Sequence, residues 1–214
     1  MIILIGGGGH ALEIFDLIER EHQNINLSYF YEEKHFSRSV GLAITTRLPR
    51  LEKINDKKLK DLVCLLGVGS PELRMRFMNE FSRSHHLNLI STRAEISEQA
   101  KFERENGLTI MNGTYVGPGV QIGKGVLIHK NAQVYHDSVI QDFTVLSPNS
   151  KILGEVNLGS KTLVGASAMI LPRVEVGNHV IIGANSLVTK SIKDHSVVYG
   201  QPARFIKKVE CESC

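Results

Sequence analysis

The chain has 214 residues, 42% of them hydrophobic, with 25 lysines and arginines against 22 aspartates and glutamates, a formal charge of +3. That length allows one large core or two small ones, and the balanced charge, with no basic stripe, argues against a nucleic-acid-binding surface. The opening MIILIGGGG lacks a basic segment ahead of its apolar run, no stretch approaches the roughly 20 apolar residues of a membrane span, and Cys64, Cys211 and Cys214 make no disulfide framework, so a cytoplasmic protein without membrane or nucleic-acid partners is expected.

Ile2–Ile5 reads as a short strand, GGGGHA as a turn, and Leu12, Ile14, Phe15, Leu17 and Ile18 as the apolar side of an amphipathic helix. Leu27 to Tyr31 reads as a second strand ending at Glu32 and Glu33. The run DLVCLLGVG reads as a third, followed by a helix over 71–84, and LNLI as a fourth strand closing the domain. The charged segment 34–60, which contains Pro49, is expected to be loop and a short helix. Gly6, Gly8 and Ala11 fit the dinucleotide fingerprint G-x-G-x-x-A, with an acid at the end of the second strand. Fewer than about 100 residues precede the next pattern, however, room for one βαβαβ half and hence one nucleotide or sugar phosphate. The amides of Gly8, Gly9 and His10 would meet a phosphate at the helix N-terminus. The plain alternative is a glycine turn that only permits tight strand-to-helix packing. His85 and His86 stand apart from other ligand types and make no metal site.

From Val116 a second pattern takes over. Every sixth residue is a branched aliphatic: Val116, Ile122, Ile128, Val134, Ile140, Leu146, Ile152, Leu158, Val164, Ile170, Val176, Ile182 and Val188. Four places after each come small or β-branched residues, from Val120 and Val126 to Ser186 and Ile192, expected to line the same interior. A helix would scatter such positions round its circumference, whereas short strands joined by tight turns keep them on one axis, which predicts a parallel β-helix. Glycines at 117, 123, 159, 165, 177 and 183 follow the aliphatic positions, where turns of unusual dihedral are expected. In this register Val134 points inward, and His136 and Asp137 fall in the next turn, facing out. With three hexads to a coil, as the resemblance of this pattern to the hexapeptide-repeat acyltransferases implies, a step of eighteen residues stacks His136 between Pro118 and Gly154, with open space expected beside the imidazole. The same step stacks Pro148, Ala166 and Ala184 on a neighbouring edge. His129 reads as a solvated turn residue, and the Cys211–Cys214 tail as disordered.

Residues ~110–208 resemble the hexapeptide-repeat acyltransferases, and the terminal YGQPARFIKK resembles their G-x-P-A-[KR] element, which reads either as a proline-stiffened exit loop or as part of a coenzyme A site. The whole chain resembles a narrower family, the bacterial sugar acyltransferases of the PglD/NeuD type, through G-x-G-G-H-[AG] near its start and V-x-H-[DE]-x-x-I at Val134–Ile140. The resemblance implies a small Rossmann-like βαβαβ domain over 1–92, followed by a left-handed β-helix over 93–214. It implies homotrimers with acetyl-CoA, as co-substrate, in the groove between subunits, and no metal. By the same resemblance His136 is the general base and Asp137 raises its basicity. Acetyl-CoA meets Val145, Gly154, Ala166 and Ala184, although relatives place a histidine where Val145 stands. The sugar nucleotide meets Gly8, Gly9, His10, Glu32, Glu33 and Gly67. The implied reaction is N-acetylation of a UDP- or dTDP-linked 4-amino-4,6-dideoxy sugar for a surface glycan. O-acetylation of sialic acid and a non-catalytic nucleotide-sugar-binding β-helix are the alternatives.

Overall fold

The computed structural model describes residues 2–21, 27–30 and 60–209; Glu32, Glu33, nearly all of the 34–60 segment and the cysteine tail lie outside the described residues. In the N-terminal domain β1 (Ile2–Ile5) lies between β2 (Leu27–Phe30) and β3 (Val63–Leu66), and β3 pairs with β4 (His85–His86), all parallel. Side chains of β1 alternate between two faces, as a strand requires. Leu4 packs with Ala11, Ile14, Leu17 and Ile18 of α1 (Gly9–Glu21). Ile3 and Ile5 pack with Cys64, Leu66, Phe77 and Phe81, from β3 and the end of α2 (Pro71–Glu80). Helix α2 opens on Ser70, whose hydroxyl accepts the Leu73 N–H, with Pro71 in the first turn, where its missing N–H costs nothing. It stops at Glu80, short of the expected 84, because the chain must turn back to let the His85 N–H reach the Leu62 carbonyl beside β3.

The fourth strand also differs from expectation. His85–His86, not LNLI, completes the sheet, and Leu89–Ile90 pairs instead with Thr109–Ile110 as the first rung of the second domain. A short apolar run satisfies either sheet edge equally well, and the two preceding residues reach β3 first.

That second domain is a parallel β-helix. Two-residue strands recur every six residues and form three sheets, in which Leu127 pairs with Val145, Gln133 with Lys151 and Val139 with Asn157, each eighteen residues on. All thirteen aliphatics of the first column are buried, and all of the second column except half-buried Ile192. The solenoid closes on a hairpin of Ser196–Gly200 and Ala203–Lys208, formed by the YGQPARFIKK segment.

The turn glycines act differently from the expectation. The left-handed backbone conformation sits three places after every aliphatic of the column but Val188, not one. Gly113, Gly119 and Gly125 adopt it at φ 64–72°, and ten successive corners from Asn131 to Asn185, Asp137 among them, adopt it without glycine at φ 53–61°. The glycines one place after the aliphatic are there for space: a Cβ on Gly165 would lie 2.7 Å from the Ile182 carbonyl oxygen, and one on Gly159 2.7 Å from the Asn178 nitrogen.

The two domains share a seam. On the first sheet the outward-facing residues Leu89, Leu127 and Val145 are apolar and buried, with Met111, against α1 and Leu4. At one end of the seam the Glu21 carboxylate accepts the Ser91 hydroxyl at 2.8 Å and the Thr92 N–H at 2.6 Å. Elsewhere Arg74 of α2, fully buried, donates to the carbonyls of Leu66 and Val68 in the first domain and of Gly107, Gly125 and Val126 in the second, and to the Thr109 hydroxyl.

Candidate active site

His136 and Asp137 stand at the corner between the second and third sheets. Their backbone is held from both sides: the Asp137 N–H donates to Pro118 of the preceding coil, and the His136 carbonyl accepts the Glu155 N–H of the next. Ser138 anchors the corner from within, donating to the Leu153 carbonyl and accepting the Val156 N–H. The two side chains are 55% and 67% exposed, and Asp137 Oδ2 lies 3.0 Å from His136 Nδ1. A carboxylate at that distance holds the proton on Nδ1 and leaves Nε2 as the basic nitrogen. The imidazole does not stand beside a vacancy: it lies over Gly154 itself, where an added Cβ would overlap Nε2 and come within 2.6 Å of Cε1.

Gly154→Ala therefore tests placement alone. Its backbone is ordinary for an L-residue and the three atoms nearest an added Cβ all belong to the movable ring, so the fold should survive while the imidazole is pushed aside. Misplacement by about 1 Å costs on the order of 10²-fold. Turnover should fall by about that factor with an unchanged circular dichroism spectrum.

The residues expected to meet acetyl-CoA do not form one patch within a single chain. Gly154 shares the His136 corner. Ala166 and Ala184 lie on the corner between the first and second sheets, half-buried and exposed respectively. Val145 is on neither: it is 3% exposed and packed in the seam under α1, so its side chain is closed to a ligand on the open edges. An apolar residue suits that place better than the histidine of relatives.

Gly8, Gly9, His10 and Gly67 meet at a second place, a cleft of about 210 Å³ between the ends of β1 and β3 and the start of α1. Gly6, at φ +138°, and Gly67 let the two strand ends close on each other: a Cβ on Gly6 would lie 2.8 Å from the Gly67 carbonyl carbon. Nothing lies within 4 Å of a Cβ built at Gly9, so the first turn of α1 is open.

Two residues outside the lining of that cleft pack against His10, Glu13 and His129. His10 is 10% exposed, with Nδ1 3.3 Å from Glu13 Oε2, and the same oxygen lies 3.0 Å from His129 Nε2. The rings of His10 and His129 are 5.2 Å apart. His129 is thus not a solvated turn residue: it is 13% exposed and bridges the β-helix to α1. The sequence does carry a signal for this. An eighteen-residue step back from His129 reaches Met111, fully buried in the seam. Burial lowers the pKa of both imidazoles, and the hydrogen bond from His10 lowers that of the Glu13 carboxyl, so at neutral pH the cluster is two neutral rings on one carboxylate. His85, by contrast, pairs with Glu105, and His86 is buried against the Phe81 carbonyl.

The family model described as bacterial transferase hexapeptide (six repeats) matches residues 155–190, and the model of the PglD N-terminal domain matches residues 1–81. No curated protein matches the chain. Among solved structures the acetyltransferase domain of PglB from Neisseria gonorrhoeae FA1090 is similar at 22% identity and TM-score 0.83, over 96% of this chain and 98% of that one. PerB from Caulobacter crescentus, solved with CoA and GDP-perosamine, is similar at 22% identity and TM-score 0.81, over 96% and 97%. WeeI from Acinetobacter baumannii AYE is similar at 19% identity and TM-score 0.75, over 96% and 99%. The hexapeptide repeats lie in the β-helix that carries the exposed histidine–aspartate corner. The chain thus joins a match to the PglD N-terminal domain to a match to the transferase hexapeptide repeats, and it shares the fold of these solved structures.

Proposed function

We propose that the protein transfers the acetyl group of acetyl-CoA to the amino group of a nucleotide-linked 4-amino-4,6-dideoxy sugar destined for a surface glycan. The observation that carries the reading is the His136–Asp137 corner, an exposed imidazole with Nδ1 held by a carboxylate 3.0 Å away. Amines attack thioesters only as the free base, and an imidazole takes up the proton at neutral pH. The amine nitrogen attacks the thioester carbonyl carbon while its proton passes to His136 Nε2. The tetrahedral intermediate expels the thiolate, the C–S bond breaks, and the imidazolium returns the proton to sulfur. Asp137 stabilises that imidazolium and keeps the ring in one tautomer. Transfer is direct, with no acyl-enzyme.

The glycine cleft supports a nucleotide-linked acceptor over free sialic acid, because α1 opens onto it with the amides and dipole that favour phosphate. The crystallised PerB holds GDP-perosamine, so a GDP carrier joins UDP and dTDP as a candidate. Gly154 at one corner and Ala166 and Ala184 at another fit a trimer in which adjacent subunits each give one edge to the acetyl-CoA groove and the active site lies between them. The deciding experiment measures CoA release with UDP-, dTDP- and GDP-linked 4-amino sugars beside CMP-sialic acid and sialic acid. Turnover on one of the amino sugars is expected. Preferred release with either sialic acid form would replace this reading by O-acetylation.

A further inference from the structure

We infer that Glu13 and His129 are positioning residues that hold His10 with its proton on Nδ1, so that Nε2 meets the bound nucleotide-sugar as a hydrogen-bond acceptor, taking a hydroxyl or amine donor and not a phosphate oxygen. The inference rests on the reading of the glycine cleft as the nucleotide-sugar pocket.

The chain of protons begins on the backbone. The Lys130 N–H donates to His129 Nδ1 at 2.9 Å, so that nitrogen carries a lone pair and the His129 proton is on Nε2. Nε2–H then points at Glu13 Oε2, 3.0 Å away. The carboxylate can only accept, so its second imidazole neighbour, His10 Nδ1, 3.3 Å away, must donate to it. The remaining nitrogen, His10 Nε2, is left with a bare lone pair. It is buried, and among the described residues it has no hydrogen-bond partner, on a residue that lines the cleft. A buried polar atom without a partner costs about 1–3 kcal/mol, and a ligand donor would remove that cost. A phosphate oxygen would place lone pair against lone pair.

The same three residues bring potential metal-ligand atoms within 4.8 Å of one another. The Lys130 N–H argues against that use: a metal on His129 Nε2 would force the proton onto Nδ1, against the backbone donor.

Nitrogen-15 spectra of the histidine-labelled full-length protein read the tautomers directly, without ligand or turnover. His10 should be protonated at Nδ1 and His129 at Nε2. In Glu13→Ala the oxygen that both rings donate to is lost, and the His10 proton should shift from Nδ1 towards Nε2. Binding of the nucleotide-linked amino sugar should weaken about tenfold in that variant with acetyl-CoA affinity unchanged, and His10→Gln, which can offer an oxygen near the place of Nε2, should bind better than His10→Ala. The groups facing His10 are Glu13 on its own helix, Arg74 on α2 and His129 on the β-helix, with Lys130 acting on Glu13 and His129. Protonating His10 turns Nε2 into a donor, and burial holds its pKa below the ordinary imidazole range, so binding should weaken as pH falls through and below that range. The inference is overturned by His10 protonated at Nε2 in the wild type, by binding that tightens on acidification, or by stoichiometric zinc uptake that His129→Ala removes. If no nucleotide-linked sugar binds the wild type while the tautomers are as stated, the pocket assignment fails and the proton arrangement stands.

Discussion

Replacing His136 with alanine should lower kcat by roughly 10²–10⁴-fold, while the melting temperature, the oligomeric state and acetyl-CoA affinity stay as they are. The separation of effects follows from where the ring sits. More than half of the side chain is exposed, and among the described residues its hydrogen-bond partner is the still more exposed Asp137, so its removal opens no cavity in the core. The corner keeps its shape because backbone bonds to Pro118 and from Glu155 fix it, not the imidazole. Only proton transfer is lost. Unchanged turnover in steady-state kinetics would remove His136 as the base, and a collapsed structure would mean that the corner depends on the ring after all.

Arg74→Met should have the largest effect on stability, a loss of about 3–5 kcal/mol. Burial pushes the Arg74 pKa down to about 9, still protonated at neutral pH, and the guanidinium donates to five carbonyls and the Thr109 hydroxyl. Methionine fills much of the volume but takes the guanidinium donor from the oxygens of Leu66, Val68, Gly107 and Gly125, while that of Val126 keeps the Thr109 N–H, inside a chain whose total stability is of order 5–15 kcal/mol. Arg74→Lys keeps the charge without the planar fork and should recover only part of the loss. With no tryptophan in the chain, guanidinium unfolding followed by circular dichroism is the suitable measurement. Since Leu66 and Val68 flank Gly67, the same variants should also loosen the glycine cleft and weaken sugar-nucleotide binding. An unchanged unfolding midpoint in Arg74→Met would refute the role.

The β-helix was legible because its signal is redundant: thirteen aliphatics in one register admit one arrangement, and that register places His136 and Asp137 outward and, with three hexads to a coil, stacks Gly154 against them. Three features were not legible, each for a physical reason. LNLI satisfies either of two sheet edges, and only pairing geometry decides between them. The six-residue period conceals a longer one: Leu127, Val145 and Leu163 are outward-facing positions that happen to be apolar, and only at a spacing of eighteen do they reveal the face covered by α1. Val145 and His129 were misplaced because that seam was not seen. The role of the turn glycines was misread because close approach and a positive φ leave the same residue in the sequence, and only coordinates distinguish them.

A left-handed residue without glycine costs about 1–2 kcal/mol in isolation, yet ten successive corners accept one, with asparagine, phenylalanine, glutamate, lysine, serine and arginine as well as aspartate among them. Asp137 therefore bears no strain peculiar to its task. The scaffold demands that backbone shape at every corner and is indifferent to which side chain occupies it. An ancestral solenoid of this kind could gain a catalytic corner, or lose one, through two neighbouring codons and no refolding, so chemistry in such a chain can change hands far faster than architecture.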